Sequence, residues 1–160
     1  MPNKNNSVNE FQDPLENYDP PIYDDPLEQA LASDLVTAIQ SNPFSSIPPE
    51  TTISDAINTL NENEIACLLV EENGKLLGVF SDRDILNKVA LEYSDIKDCS
   101  VRDVMTTDPV YVFDNDSASA SLYVMAVSGY RHVPVVDLEH QLVGIISPQR
   151  VVRYLREHVQ

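Results

Sequence analysis

Apolar positions in this chain follow a pattern that occurs twice. In its first occurrence the run Ala66–Val70 is separated by Glu71-Glu72-Asn73-Gly74 from a second run, Leu76–Phe80. Two such runs around Asn-Gly predict a β-hairpin, since the tight turn needs residues that tolerate positive φ. Ahead of the hairpin, Ile53, Ile57 and Leu60 recur at helical spacing. Behind it, a second helix is predicted after Ser81, carrying Ile85, Leu86 and Val89. A short extended piece after Pro43 opens the unit, which therefore reads β-α-β-β-α.

The second occurrence lies 65 to 66 residues on, and self-similarity at a fixed period marks a repeat. Asn42-Pro43 matches Asp108-Pro109, and Ser54–Leu60 matches Ser119–Met125. Cys67-Leu68-Leu69-Val70 matches His132-Val133-Pro134-Val135, and Lys75–Ser81 matches Gln141–Ser147. The second hairpin is predicted as Val133–Val136, a turn at Asp137–His140, and Leu142–Ile146, followed by a helix with Val151, Val152 and Leu155. A further helix precedes the first copy. Asp24-Asp25-Pro26 places acids ahead of a first-turn Pro, and Leu27, Leu31, Leu35, Ala38 and Ile39 form its apolar stripe.

Composition bounds what this repeat can be. With 160 residues, 42% hydrophobic and 22% charged, the chain is the size of one soluble domain with a real core. Its formal charge of −16 argues against nucleic acid and anionic membranes as partners, because both recruit Lys and Arg. No apolar run approaches the ~20 residues of a spanning helix, and Met1–Asn6 lacks the apolar stretch of a signal peptide. Cys67 and Cys99 form neither a disulfide framework nor a C-x-x-C, as expected of a reduced, cytoplasmic protein. The charge is uneven: residues 1–34 carry −7 and residues 35–160 carry −9. Residues 1–25 are rich in acid and Pro and poor in apolar side chains, so they are expected to be a mostly disordered tail.

Signatures of catalysis are missing. There is no P-loop, no H-E-x-x-H and no defensible Ser–His–Asp order. His132, His140 and His158 have no metal-ligand spacing, and Cys67 sits in an apolar strand where burial is its default. The acids Asp82, Asp84, Asp108, Asp114 and Asp116 offer hard oxygens for a divalent metal as a minor alternative. Ser81 stands where a strand turns into a helix, whose first N–H groups are free and positive, a natural anion site. Asp84, three residues on, offers two acceptor oxygens to a pair of ribose hydroxyls. The same Ser-x-x-Asp spacing is also a helix capping box.

Three motifs, in order and twice, resemble a pair of cystathionine β-synthase (CBS) domains. Val101-Arg102-Asp103-Val104-Met105-Thr106-Thr107-Asp108-Pro109 is similar to the V-x-D-V-M-T-x-x-P opening of such a repeat. Tyr130–Asp137 resembles its h-P-V-V-D strand, and Gly78–Asp84 its G-x-x-[ST]-x-x-D ligand motif. The resemblance covers about residues 34–160. It implies an α/β (α+β) fold of two intertwined repeats, here 26–92 with the leading helix and 93–160 with the linker. It also implies a non-enzymatic sensor that binds an adenosine-containing ligand (AMP, ADP, ATP or S-adenosylmethionine) in a cleft between the repeats and acts on an unknown protein effector.

By that resemblance Ser81 meets phosphate and Asp84 the ribose. Arg131 and His132 occupy the strand position whose basic residues contact phosphate in the regulatory subunit of AMP-activated protein kinase. Adenine is expected against Thr107, Asp108, Pro109 and Val110. Asp82 and Asp84 bring negative charge to an anion site, so Arg131 must answer it. The second motif, Gly144–Arg150, has Arg150 where the ribose-binding Asp should be. A guanidinium only donates, so the second cleft, at Ser147 and Arg150, is expected to be empty or to bind something else. The first copy also has Leu68-Leu69 where h-P-V is expected, with no base. The helix faces carry more apolar surface than the sheets can cover, and such modules pair through them, so a homodimer is expected. A ligand-free dimeric scaffold is the alternative.

Overall fold

The computed structural model describes Asp19, residues 21–39 and residues 42–159. The expected acidic tail falls mostly outside the described residues. Helix α1 (Pro26–Ser33) starts as its acids and Pro require: the Asp25 carboxylate accepts the Leu27 N–H at 2.7 Å, and Pro26 fills a position that needs no donor. It ends earlier than its apolar stripe predicts. Asp34 is extended, Leu35 bridges Ser117, and Val36–Ala38 forms a 3-10 turn. That break turns Val36 and Ile39 into a core and leaves Leu35 largely exposed.

The first copy continues with β1 (Ser46–Ile47), α2 (Ile53–Glu62), β2 (Cys67–Glu72) and β3 (Lys75–Ser81). A helical turn α3 (Asp82–Asp84) then runs into a π-helical stretch over Ile85–Val89. Helix α4 (Tyr93–Ile96) and a 3-10 turn at Val101–Asp103 lead to β4 (Thr106–Thr107), β5 (Val112–Phe113), α5 (Ala118–Ser128), β6 (Val133–Val136), β7 (Leu142–Ile146) and α6 (Pro148–His158). The repeat extends to backbone detail. Thr52 caps α2 and Ser117 caps α5. Both hairpins carry a register shift, between Val70 and Glu71 in one and between Val135 and Val136 in the other. Asn73 and Gly74 have φ of 54° and 80°, the paired positive angles that a two-residue hairpin turn demands.

The strands form two sheets, ordered β1-β2-β3-β4 and β5-β6-β7. Strand β4, which opens the second copy, adds to the sheet of the first by pairing antiparallel with β3. Gly78 makes this approach feasible, since a Cβ there would lie 2.7 Å from Met105 Sδ and 2.8 Å from the Thr106 carbonyl oxygen. The cores are exchanged likewise. Leu68, Val70, Phe80 and Val89 pack with Val101, Val104 and Met105 from ahead of the second copy. Val133, Val135, Ile146 and Tyr154 pack with Ala30, Val36 and Ile39 from ahead of the first. On the opposite face of β2, Cys67 and Leu69 meet Ile145, Val79 and Phe44. Alternate residues of β2 thus bury into two different layers. This is why Cys67–Val70 reads as an unbroken apolar run and not as an alternation.

Candidate functional site

Where β3 ends and α3 begins, the chain turns towards the second copy. Cys67, Val79, Ser81, Asp82, Arg83, Asp84, Thr106, Tyr130, Arg131 and His132 line one cleft of about 480 Å³ including its open mouth. The cleft gathers four sequence-predicted residues: Ser81 and Asp84 from the first copy, Arg131 and His132 from the second. Thr107, Asp108, Pro109 and Val110 follow β4 and are not among its lining residues; their neighbour Thr106 is. Asp108 has a φ of 48°, and Val110 is exposed.

Asp84 is 5% exposed, and a buried carboxylate has to be fully partnered. Its Oδ2 accepts the Ser81 backbone N–H at 3.0 Å and the Ser81 hydroxyl at 2.8 Å. Its Oδ1 accepts from Lys88 Nζ and from the Thr106 hydroxyl, both at 2.8 Å. A carboxylate has about four lone-pair sites, and all of them are engaged. Burial alone would raise its pKa. Hydrogen bonds from Lys88, Thr106 and Ser81, with the Lys88 charge, outweigh that and hold the carboxyl below the usual range. Lys88 also donates to the Val104 and Met105 carbonyl oxygens at 2.9 and 3.2 Å, binding the π-helical stretch to the segment that leads into β4.

Two readings of Ser-x-x-Asp therefore meet in one geometry. The Asp84 carboxylate closes the helix start onto Ser81 as a capping box does, and it does so inside the cleft. Lys88 and Thr106, which both donate to Asp84, are residues that motif reasoning missed. The signal for Lys88 was present in the i, i+4 spacing from Asp84; that for Thr106 was its place beside Thr107.

Arg131 reaches across from the second copy, where its Nη2 lies 3.0 and 2.9 Å from the two carboxylate oxygens of Asp82. His132 is held neutral at pH 7: burial lowers its pKa first, Arg131 and Arg150 add to this, and Asp82 opposes them. Cys67, which lines the cleft, is inert as a nucleophile, since burial pushes its thiol up to about 12, with Asp84 and Asp82 adding to the effect. The charges thus pair off, Asp84 with Lys88 and Asp82 with Arg131, and Arg83 lines the cleft with no carboxylate in salt-bridge range among the described residues. Locally the cleft is not acidic, although the whole chain is.

The equivalent place in the second copy is built differently. Arg150 donates to the Ile145 carbonyl oxygen and, at 3.0 Å, to that of Pro43. Its guanidinium straps β7 to the opening of the first copy, which by pseudo-symmetry corresponds to the Thr107–Val110 side of the other cleft. For the metal alternative, no group of three or more His, Cys, Asp or Glu is gathered among the described residues. No helix of the described residues is long and apolar enough to cross a membrane.

Comparison with known proteins adds three findings. A family profile described as CBS domain matches residues 32–91 and again 101–157. Curated relatives include the CBS domain-containing protein CBSCBSPB5 of Arabidopsis thaliana, 34% identical over 92 residues, and the inosine-5'-monophosphate dehydrogenase of Methanocaldococcus jannaschii, 32% identical over 108. These matches take in 57% and 67% of this chain but only 17% and 21% of those proteins. Among solved structures, CBSX2 in complex with AMP superposes with a TM-score of 0.68 at 29% identity, covering 77% of this chain and 96% of that one.

Proposed function

Since the chain belongs to the CBS domain family and carries that domain twice, we propose that it is a regulatory module that binds an adenosine-containing ligand in the cleft between its repeats. The ligand class is AMP, ADP or ATP, with S-adenosylmethionine as a further member. The observation that carries this reading is the convergence of Ser81 and Asp84 from one repeat with Arg131 and His132 from the other on one cavity. The likeness to CBSX2, described in complex with AMP, supports the same ligand class. The module has no catalysis of its own, and it acts by favouring one packing of its repeats when the ligand binds, which requires different affinities for two states. Two free thiols, Cys67 and Cys99, suit a reducing compartment, and the cytoplasm is our proposed location.

The hydrogen bonds say what binding has to change. Asp84 can accept both hydroxyls of a ribose diol only if two present donors leave. The Ser81 and Thr106 hydroxyls can rotate away; the Ser81 backbone N–H cannot. Turning the Ser81 hydroxyl towards a ligand phosphate frees an acceptor site on Oδ2 for the ribose, so the two contacts form together. Adenine then lies against Thr107, Asp108, Pro109 and Val110. The second cleft stays empty, because Arg150 already occupies its acceptors.

The test is thermal unfolding and calorimetry with AMP, ADP, ATP, S-adenosylmethionine and Mg²⁺. A ligand at about 100 times its Kd stabilises the fold by ~2.7 kcal/mol. We expect one adenine ligand per chain, and its loss in Asp84→Ala. Two per chain would refute the role given to Arg150. No response to any adenine compound would favour the second reading, a dimeric scaffold, which the full occupancy of the Asp84 acceptors also suits.

A further inference from the structure

Asp82 is not a residue that the adenine-nucleotide reading uses, yet it holds that reading's principal cation. Both of its carboxylate oxygens accept from Arg131 Nη2, at 3.0 and 2.9 Å. One of them also accepts the Arg83 backbone N–H at 2.8 Å, which fixes the carboxylate's direction. The pair spans the two repeats at the mouth of the cleft, with both side chains about half exposed. Lys88 is committed to Asp84 and to backbone carbonyls, so it is not a substitute for Arg131.

Resting on the adenine-nucleotide reading, we propose that Asp82 is the specificity-determining residue of this cleft. It serves as an internal counter-ion to Arg131. A ligand phosphate gains that guanidinium only by displacing a carboxylate, and the displaced carboxylate then remains nearby as a like charge. A neutral adenosyl ligand meets neither obstacle. The cleft therefore sorts adenosyl ligands by charge, and phosphate binding exchanges one anion for another at Arg131.

Exposed ion pairs are individually weak, so the exchange is accessible. The remaining carboxylate, about half exposed, costs a comparable amount close to a phosphate when both stay solvated. Removing both obstacles is expected to tighten AMP binding by about tenfold. Adenosine, lacking phosphate, should change by no more than about twofold on the same argument.

The experiment is isothermal titration of AMP and of adenosine into the full chain, Asp82→Asn, Arg131→Gln and the double variant, each first checked by thermal unfolding. Support is a gain of about tenfold for AMP in Asp82→Asn, adenosine unchanged, and a gain of no more than about threefold when Arg131→Gln is already present, since only the like charge is then removed. Unchanged AMP affinity in Asp82→Asn overturns the proposal while leaving the nucleotide site intact. Weakened AMP binding also overturns it, by showing that Asp82 holds the ligand directly. The same gain persisting without Arg131 would assign the phosphate to Arg83 and overturn it too. If neither compound binds any of the four proteins, the nucleotide reading itself falls, and this one with it. The unsubstituted chain provides a second measurement. Its AMP affinity should vary little with ionic strength, because one ion pair replaces another; a steep loss with salt would contradict the exchange.

Discussion

At the scale of single residues, the cleft is a place where buried titratable groups are held in fixed states. His132 is kept neutral, so below its ordinary value of 6.5 the unfolded chain takes up a proton that the folded one refuses. Stability is then full above that value and declines as pH falls through it. Asp84 is held charged, with its folded pKa below the ordinary 3.8. Its contribution is present above that value and is lost as pH falls further, through the folded pKa. Acid should therefore weaken the fold in two stages, His132 first. Chemical denaturation of the chain and of His132→Gln between about pH 7.5 and 2.5 checks the assignment. The variant should lose the first decline and keep the second. An unchanged profile would mean that another group is titrating.

At the scale of elements, the decisive contact is β4 against β3, and it depends on the absence of a side chain at Gly78. Alanine there would place its Cβ 2.7 Å from Met105 Sδ and 2.8 Å from the Thr106 carbonyl oxygen. The second of these is backbone, so β4 has to move. Overpacking of this kind costs about 1–3 kcal/mol. A moved β4 also draws the Thr106 hydroxyl off Asp84, where it now sits at 2.8 Å. Gly78→Ala is thus expected to lower stability by that amount, and to weaken adenine-nucleotide binding as well. Stability lost with binding unchanged would show that β4 does not help to hold Asp84.

The same contact marks how far the sequence could be read. Hairpins, turns and both copies were legible because period and turn chemistry are local: the second hairpin strands lie at Val133–Val136 and Leu142–Ile146, as their apolar runs predict. The early end of α1 was not legible. The stripe from Leu27 to Ile39 continues at helical spacing, and it is the tertiary bridge from Leu35 to Ser117 that breaks it. Ser81, Asp84, Arg131 and His132 could be named from motif positions. That Asp84 has no vacant acceptor, and that Arg131 rests on Asp82, depend on side-chain directions across two repeats, which no linear spacing encodes.

At the scale of the whole molecule, two facts pull against each other. The chain carries −16, which repels a second copy. Yet Leu86 and Val152, equivalent positions in the two repeats, are 73% and 53% exposed, and Tyr123 and Val127 on α5 are 68% and 66% exposed. Single exposed apolar residues are ordinary, but these recur on the helices that flank the cleft-bearing sheets. The hydrophobic contribution is short-range and does not weaken with salt, whereas the repulsion between like-charged copies is screened by it. A homodimer built on these faces should therefore tighten as ionic strength rises, and one built on ion pairs should loosen. Light scattering across a salt series separates the two, and Leu86→Asp combined with Val152→Asp should give a monomer at every ionic strength. A doubly substituted chain with the mass of a dimer would place the interface elsewhere. A parent chain that dissociates with added salt would mean that charge, and not this apolar face, joins the copies.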